Sequence, residues 1–154
     1  FPEVTTVGLF VNHSAKEIEA AVQASGVALV QLHGDESPVF ARRFGERCIK
    51  ALPLGGKGDI VRSEAFDCPY LLVDAVSEGR GGSGEMADWS LASELCKNHD
   101  KTLLAGGLNP GNVAEAIRAV RPFGVDVASG VESHPGFKDI ALVKAFIAAA
   151  REVV

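Results

Sequence analysis

Residues 102–130 read TLLAGGLNPGNVAEAIRAVRPFGVDVASG. Thr102 to Ala105 is a short apolar run that ends on the glycine pair Gly106-Gly107. Asn109 before Pro110 has the form of a helix N-cap followed by proline at the first helical position. Val113, Ile117 and Val120 then recur at i, i+4 and i+7 until Arg121-Pro122 stops the helix. A second apolar run, Val125 to Ala128, ends on Ser129-Gly130. Strand, helix and strand in this order are the signature of a parallel βα unit.

The same rhythm runs through the chain. Val7 to Val11, Leu29 to Leu32, Cys48 to Leu52 and Tyr70 to Val73 are further strand candidates, making six with the two above. Their continuous apolar character suits strands covered on both faces. Ser14 and Glu17 form a capping box ahead of Ile18 and Val22, and Ser37 precedes Pro38 in the cap-then-proline pattern. Asp88 is placed to cap a helix through Leu91 and Leu95, and Leu142, Val143, Phe146 and Ile147 predict a last helix. Lys57 to Ala65 carries only a weak stripe. No linker divides the units, so one α/β domain over residues 1–154 is expected. The architectures open to it are a doubly wound sheet and a (β/α) barrel. A complete eight-unit barrel takes about 250 residues, with compact examples near 200, so six units are two short of one.

Composition narrows the function. The formal charge is −5, with 15 Lys and Arg against 20 Asp and Glu, and the basic residues are scattered. That argues against nucleic acid, which needs a concentrated cationic face. No apolar run approaches the length of a membrane span, and FPEVTTVGL lacks the features of a signal peptide. A cytoplasmic location is therefore expected. Cys48, Cys68 and Cys96 form neither a CxxC pair nor an even disulfide set, which predicts reduced, mostly buried thiols.

In parallel α/β folds the chemistry gathers at the carboxyl ends of the strands. Gly106, Gly107, Ser129 and Gly130 end the last two strands and would let backbone N–H groups, with helix dipoles behind them, approach an anion. This predicts a phosphate cup, although glycines can also merely turn a chain. The stretch Gly79 to Gly84, GRGGSG, matches GxGxxG literally. It lacks the acidic residue expected at the end of the next strand, and Glu85 stands where a P-loop needs lysine. A lid carrying Arg80, Gly81 and Gly82 to the substrate site fits better.

Asp74 ends the strand YLLVD, where partial desolvation would raise its pKa and suit a general acid; pairing with a lysine or capping a loop is the competing reading. Asp126 is read as a buried mid-strand carboxylate with a structural or supporting role at the substrate site. His33, at a strand end, could orient substrate or serve as a hydrogen-bonded structural imidazole. His13, His99 and His134 have no ligand-like spacing, so no metal is expected.

Together, GLFVN (8–12), VQLHG (30–34), LLVDA (71–75), GGSG (81–84) with DWS (88–90), GGLNPGNV (106–113), VRPFGVDVASGVE (120–132) and PGFKD (135–139) resemble the phosphoribosylanthranilate isomerase family. The resemblance runs in order over essentially the whole chain. It implies a (β/α)8 TIM barrel and an Amadori rearrangement of N-(5-phosphoribosyl)anthranilate in tryptophan biosynthesis, with no cofactor and no metal. Asp74 matches the family's general acid. The family's general base is a cysteine on its first strand, and the chain opens at what resembles the third, so two βα units carrying that base and a substrate-binding arginine are expected to be missing. Ala105 and Ala128 stand where serine is frequent in the family. The implied partner is a phosphorylated sugar–anthranilate molecule, with a homodimer or a fusion to indole-glycerol-phosphate synthase open. A noncatalytic phosphate-binding α/β domain, or a truncated inactive fragment of that enzyme, is the alternative.

Overall fold

Each apolar run pairs with the next one along the chain. The structure, a computed structural model, describes residues 3–74 and 89–153. Strands β1 (Val7–Phe10), β2 (Leu29–Leu32), β3 (Cys48–Pro53), β4 (Tyr70–Asp74), β5 (Thr102–Ala105) and β6 (Gly124–Val125) form one parallel sheet in sequence order. Register runs Leu9 to Gln31, Gln31 to Ile49, Ile49 to Tyr70, Leu72 to Leu103 and Leu103 to Gly124. Alternation along these strands therefore splits the apolar side chains between two faces.

On one face Val30, Leu32, Cys48, Leu71, Val73 and Leu104 pack with Ile18, Leu95, Val113, Ala116 and Phe146 of the helices. Those residues lie on α1 (Ala15–Ser25), α4 (Ser90–Asn98), α5 (Val113–Val120) and α6 (Ile140–Arg151). On the other face Ile49, Ala51, Leu72 and Ala105 form a smaller cluster with Leu29, Tyr70 and Leu103. The two-sided burial explains why the central strands read as continuous apolar runs. Edge strand β1 differs. Phe10 packs into the helix-side core, while Val7, Leu9 and Val11 on the opposite face remain exposed.

Local sequence sets the helix starts. Ser14 and Glu17 make the full reciprocal capping box, and Gly26 ends α1 in the left-handed conformation at φ 71°. Ser37 caps Pro38 as expected, but α2 (Pro38–Ala41) is one turn long and passes into 3-10 turns over Arg42–Arg47, broken at Gly45. The weak stripe at Lys57 does form a helix, α3 (Lys57–Ser63). Its Asp59 carboxylate accepts the N–H groups of Gly55 and Gly56, so a local cap supplies what periodicity lacks. Asp88 lies outside the described residues, and α4 starts after Trp89, which makes no side-chain cap.

Two expectations are corrected. Asn109-Pro110 does not open α5, because Asn109 Oδ1 accepts from Gly111 N–H and Asn112 Oδ1 accepts from Asn109 N–H. A turn closes there first, and the helix starts three residues beyond Pro110, at Val113. The sixth strand is not Val125 to Ala128 but Gly124–Val125. Asp126 N–H still bonds the Leu104 carbonyl at 2.8 Å; by Ala128 (φ −117°, ψ −84°) the chain has left the extended region and turns into a 3-10 segment, Ser129–Val131. A small antiparallel hairpin follows, β7 (Glu132–His134) with β8 (Phe137–Lys138), which periodicity gave no sign of. No helix among the described residues is long and apolar enough to cross a membrane.

Candidate active site

The carboxyl ends of β2, β4, β5 and β6 converge on a cavity of about 200 Å³. His33, Asp74 and Asp126 line one side, and residues 105–108 and 127–130 line the other. Asp126 is not mid-strand, as its sequence context predicts: β6 ends at Val125, which leaves Asp126 at the mouth of the strand on the cavity. A second cavity of about 330 Å³ shares His33 and Asp74 and extends over Asn12, Gly34, Asp35 and Pro53.

The glycine loops are built for close approach. Gly106 and Gly107 hold φ of 94° and 62°, a region that disfavours side chains. At Gly130 a Cβ would collide with the Leu108 carbonyl oxygen, so only glycine lets the two loops touch. Asn112 Nδ2 donates to the Gly107 carbonyl at 3.0 Å and holds the first loop, and Lys138 Nζ donates to the Ala128 carbonyl at 2.7 Å and holds the second. Lys138 is also paired with Glu132 Oε1 at 2.7 Å across the hairpin. The second loop runs into a 3-10 turn and this hairpin rather than directly into a helix. Of the two loops, only the first leads on to a helix, α5, whose N-terminus carries positive dipole charge.

Three titratable groups face this cup. Asp74 Oδ1 is buried without a hydrogen-bond partner among the described residues. His33 Nδ1 lies 2.9 Å from Gln31 Nε2, which as a donor makes Nδ1 the acceptor and leaves Nε2 to carry the proton in the neutral ring. Asp126 titrates above the ordinary aspartate value: its carboxyl is desolvated, His33 opposes the shift, the Asp74 charge adds to it and Lys138 opposes it. A carboxyl with a raised folded-state pKa binds more protons folded than unfolded, so its contribution to stability falls as pH rises through the window between the two values. Asp126→Asn is therefore expected to raise the melting temperature at pH 7, with the gain disappearing below that window. Thermal unfolding across pH measures it; no gain at neutral pH would remove Asp126 as a site of stored electrostatic strain.

A buried ion pair supports the second cavity. Lys50 Nζ, on β3, bonds Glu36 Oε2 at 2.8 Å, the Gly34 carbonyl at 2.6 Å and the Leu32 carbonyl at 3.3 Å. Burial works against the charged form of Glu36; the Lys50 bond and the Asn12 N–H outweigh it, so Glu36 titrates below its ordinary value. Sequence reading passed over both residues. The available signal was a lone lysine inside the apolar run CIKALP.

The three thiols stand apart from this end. Cys48 and Cys68 are buried with sulfurs 3.1 Å apart, Cys96 is half-buried, and none lines either cavity. The hydrogen bond shared with Cys68, and then burial, push the Cys48 thiol up, and burial pushes up that of Cys96. A cavity of about 570 Å³ opens at the amino ends of the strands, where Cys68, His99 and Lys101 contribute to its wall. His99 there is tied to the Cys68 carbonyl at 3.1 Å, a structural role. His134 stacks on Phe137 in the hairpin. Among the described residues no group of three or more His, Cys, Asp or Glu is placed to hold a metal ion. Arg80, Gly81, Gly82 and the rest of the GRGGSG stretch lie outside the described residues.

Comparison with known proteins agrees with this arrangement. Residues 2–149 match the family model described as N-(5'phosphoribosyl)anthranilate (PRA) isomerase. A relative of that name from Myxococcus xanthus is 47% identical over 156 residues, covering 99% of this chain and 74% of its own length. The crystal structure of phosphoribosyl anthranilate isomerase from Thermotoga maritima superposes with a TM-score of 0.87 at 40% identity, covering 98% of this chain and 75% of that one. Another isomerase structure, in complex with reduced 1-(o-carboxyphenylamino)-1-deoxyribulose 5-phosphate, matches with a TM-score of 0.83 at 37% identity, over 98% of this chain and 73% of that one. The chain thus spans about three quarters of the length of these relatives. On sequence and on fold, it belongs to the N-(5'-phosphoribosyl)anthranilate isomerase family and is part of a (β/α)8 barrel.

Proposed function

We propose that this chain carries the acid half and the phosphate site of an isomerase that converts N-(5-phosphoribosyl)anthranilate into 1-(2-carboxyphenylamino)-1-deoxyribulose 5-phosphate. The observation that supports it best is the buried, unpartnered Oδ1 of Asp74 on the cavity shared with the glycine cup. Leaving a buried carboxylate oxygen unpaired costs free energy, and such an atom is accounted for when a ligand supplies its partner. Asp74 protonates the furanose ring oxygen, and the bond from that oxygen to the anomeric carbon breaks to give a protonated Schiff base. A base then removes the proton from the neighbouring sugar carbon, and the enolamine that forms tautomerises to the ketone.

The N–H groups around Gly106, Gly107, Ser129 and Gly130 receive the substrate phosphate. Asp126 and His33 bracket the sugar, and Arg80, Gly81 and Gly82 close over it. The base belongs to two βα units that precede β1 in the complete barrel, so residues 1–154 form an N-terminally incomplete single domain. The partner is the small phosphorylated substrate, and a cytoplasmic biosynthetic setting suits the enzyme. A homodimer is the assembly proposed, in keeping with a Thermotoga maritima relative that is described as dimeric.

Gly107→Val tests the cup. Gly107 sits at φ 62°, which a β-branched residue adopts only with strain, so the loop must rearrange. Calorimetric affinity for inorganic phosphate and for the reduced product analogue is expected to fall by more than about tenfold. Unchanged affinity for both would remove the phosphate assignment.

A further inference from the structure

Lys50 and Glu36 line neither of the two cavities at this end, yet they bond to loops that form one. Lys50 is 1% exposed and spends all three of its N–H donors inside the protein, on Glu36 and on the carbonyls of Leu32 and Gly34. Lys50 thus holds the end of β2 and the loop after it, and Glu36 joins that loop to the one after β1: Oε1 accepts the Asn12 N–H at 2.9 Å, and both oxygens accept the Gly34 N–H, at 3.2 and 3.0 Å. Asn12 in turn is held in the left-handed conformation at φ 55°, with its Oδ1 accepting the Asp35 N–H at 2.7 Å. A Cβ on Gly34 would overlap Asn12, so the two loops meet at backbone distance. Asn12, Gly34 and Asp35 are themselves walls of the 330 Å³ cavity, which is continuous with the acid through His33 and Asp74. Among the described residues, no hydrogen bond of this network reaches the phosphate loops, residues 106–107 and 129–130.

We propose that the buried Lys50–Glu36 pair is a positioning device: it fixes the loops after β1 and β2 against each other, and so sets affinity for the non-phosphate part of the substrate. The inference rests on the isomerase reading. A hydrophobic filling would serve stability at least as well as a buried ion pair, because desolvating two charges offsets much of their attraction. What an apolar pair cannot do is hold N–H groups from two separate loops, those of Asn12 and Gly34, and the carbonyls of Leu32 and Gly34 in fixed directions. Misplacing a binding wall by about 1 Å can cost up to about 10²-fold in productive binding.

The test compares two ligands on the same protein. Lys50→Met with Glu36→Gln removes both charges at once and leaves no lone buried ion. Binding of inorganic phosphate and of reduced 1-(o-carboxyphenylamino)-1-deoxyribulose 5-phosphate is measured by calorimetry, and amide exchange is followed at Asn12, Gly34 and Asp35. Phosphate affinity is expected to stay within about twofold while analogue affinity falls at least about tenfold, with exchange at the three amides accelerated and that of β4 and β5 unchanged. Glu36→Asp keeps the charge and one chain atom fewer, and is expected to recover part of the lost analogue affinity; it also carries the comparison if the double variant does not fold. Parent-like analogue affinity in a folded variant overturns the proposal, as does an equal loss of both ligands. All binding is measured on the completed barrel, residues 1–154 fused behind the two N-terminal βα units of the Myxococcus xanthus relative; a parent fusion that binds neither ligand would overturn the isomerase reading, and this inference with it.

Discussion

Asp74→Asn is expected to slow turnover of N-(5-phosphoribosyl)anthranilate by about 10²–10⁴-fold, the usual contribution of a positioned acid. Asparagine keeps the shape of the side chain at the end of β4 and can still fill the place of the unpartnered Oδ1, but it has no proton to transfer to the ring oxygen. The loss should therefore appear in kcat, with phosphate affinity little changed, because the cup is made of backbone on other strands. The assay is loss of anthranilate fluorescence, with residues 1–154 fused behind the two N-terminal βα units of a relative such as the Myxococcus xanthus isomerase. Turnover within a small factor of the parent would mean that another group is the acid.

The second large effect concerns a polypeptide of these 154 residues and nothing more: it is expected to show no turnover above background, and to gain it when the two preceding units are supplied. Protonating the ring oxygen is only half of the reaction. Removing the carbon-bound proton needs a base facing the same cavity, and the described lining offers His33, Asp74 and Asp126 as its titratable groups. Two of these are acids held for other work in the scheme, and His33 already accepts a hydrogen bond from Gln31 on Nδ1. The thiols cannot substitute, since Cys48 and Cys68 are buried and none of the three reaches either cavity. The expected gap between the isolated polypeptide and the supplemented one is again at least about 10²-fold. Robust turnover by the 154 residues alone would refute both the missing base and the alignment of β1 with the family's third strand.

Much of this architecture was legible because it is written locally. Strands β2 and β5 fall on their apolar runs to the residue, and Ser14 with Glu17 starts α1 as two side chains in reach of each other must. The glycines at 106 and 107 were legible for the same reason, since a positive φ is a property of a single position, whereas the need for glycine at 130 comes from the Leu108 carbonyl 22 residues away. What escaped depends on neighbours distant in sequence. The end of β6 is fixed where its backbone meets Leu104, which moves Asp126 from strand interior to cavity wall. Lys50 and Glu36 are 14 residues apart, and nothing in either's surroundings announces the other. Asn109 misled because asparagine before proline closes a turn as readily as it opens a helix, and here Asn112 takes its N–H.

The strictly sequential strand order has a consequence for how the chain reaches this state. Every parallel pair among the described strands joins immediate neighbours, so none of these pairings waits for a distant segment to return. The entropy cost of closing a loop grows with its length, though slowly, and pairing each strand with the next keeps the sequence separations as short as a parallel sheet allows. The ladder between β3 and β4 is the longest, with five paired positions, and it brings together both core faces, Leu52 and Val73 on one and Ala51 and Leu72 on the other. A nucleus there can grow outward one unit at a time in either direction. Synthesis from the amino end delivers the units in the order in which they pair, so each emerging strand finds its template already laid down.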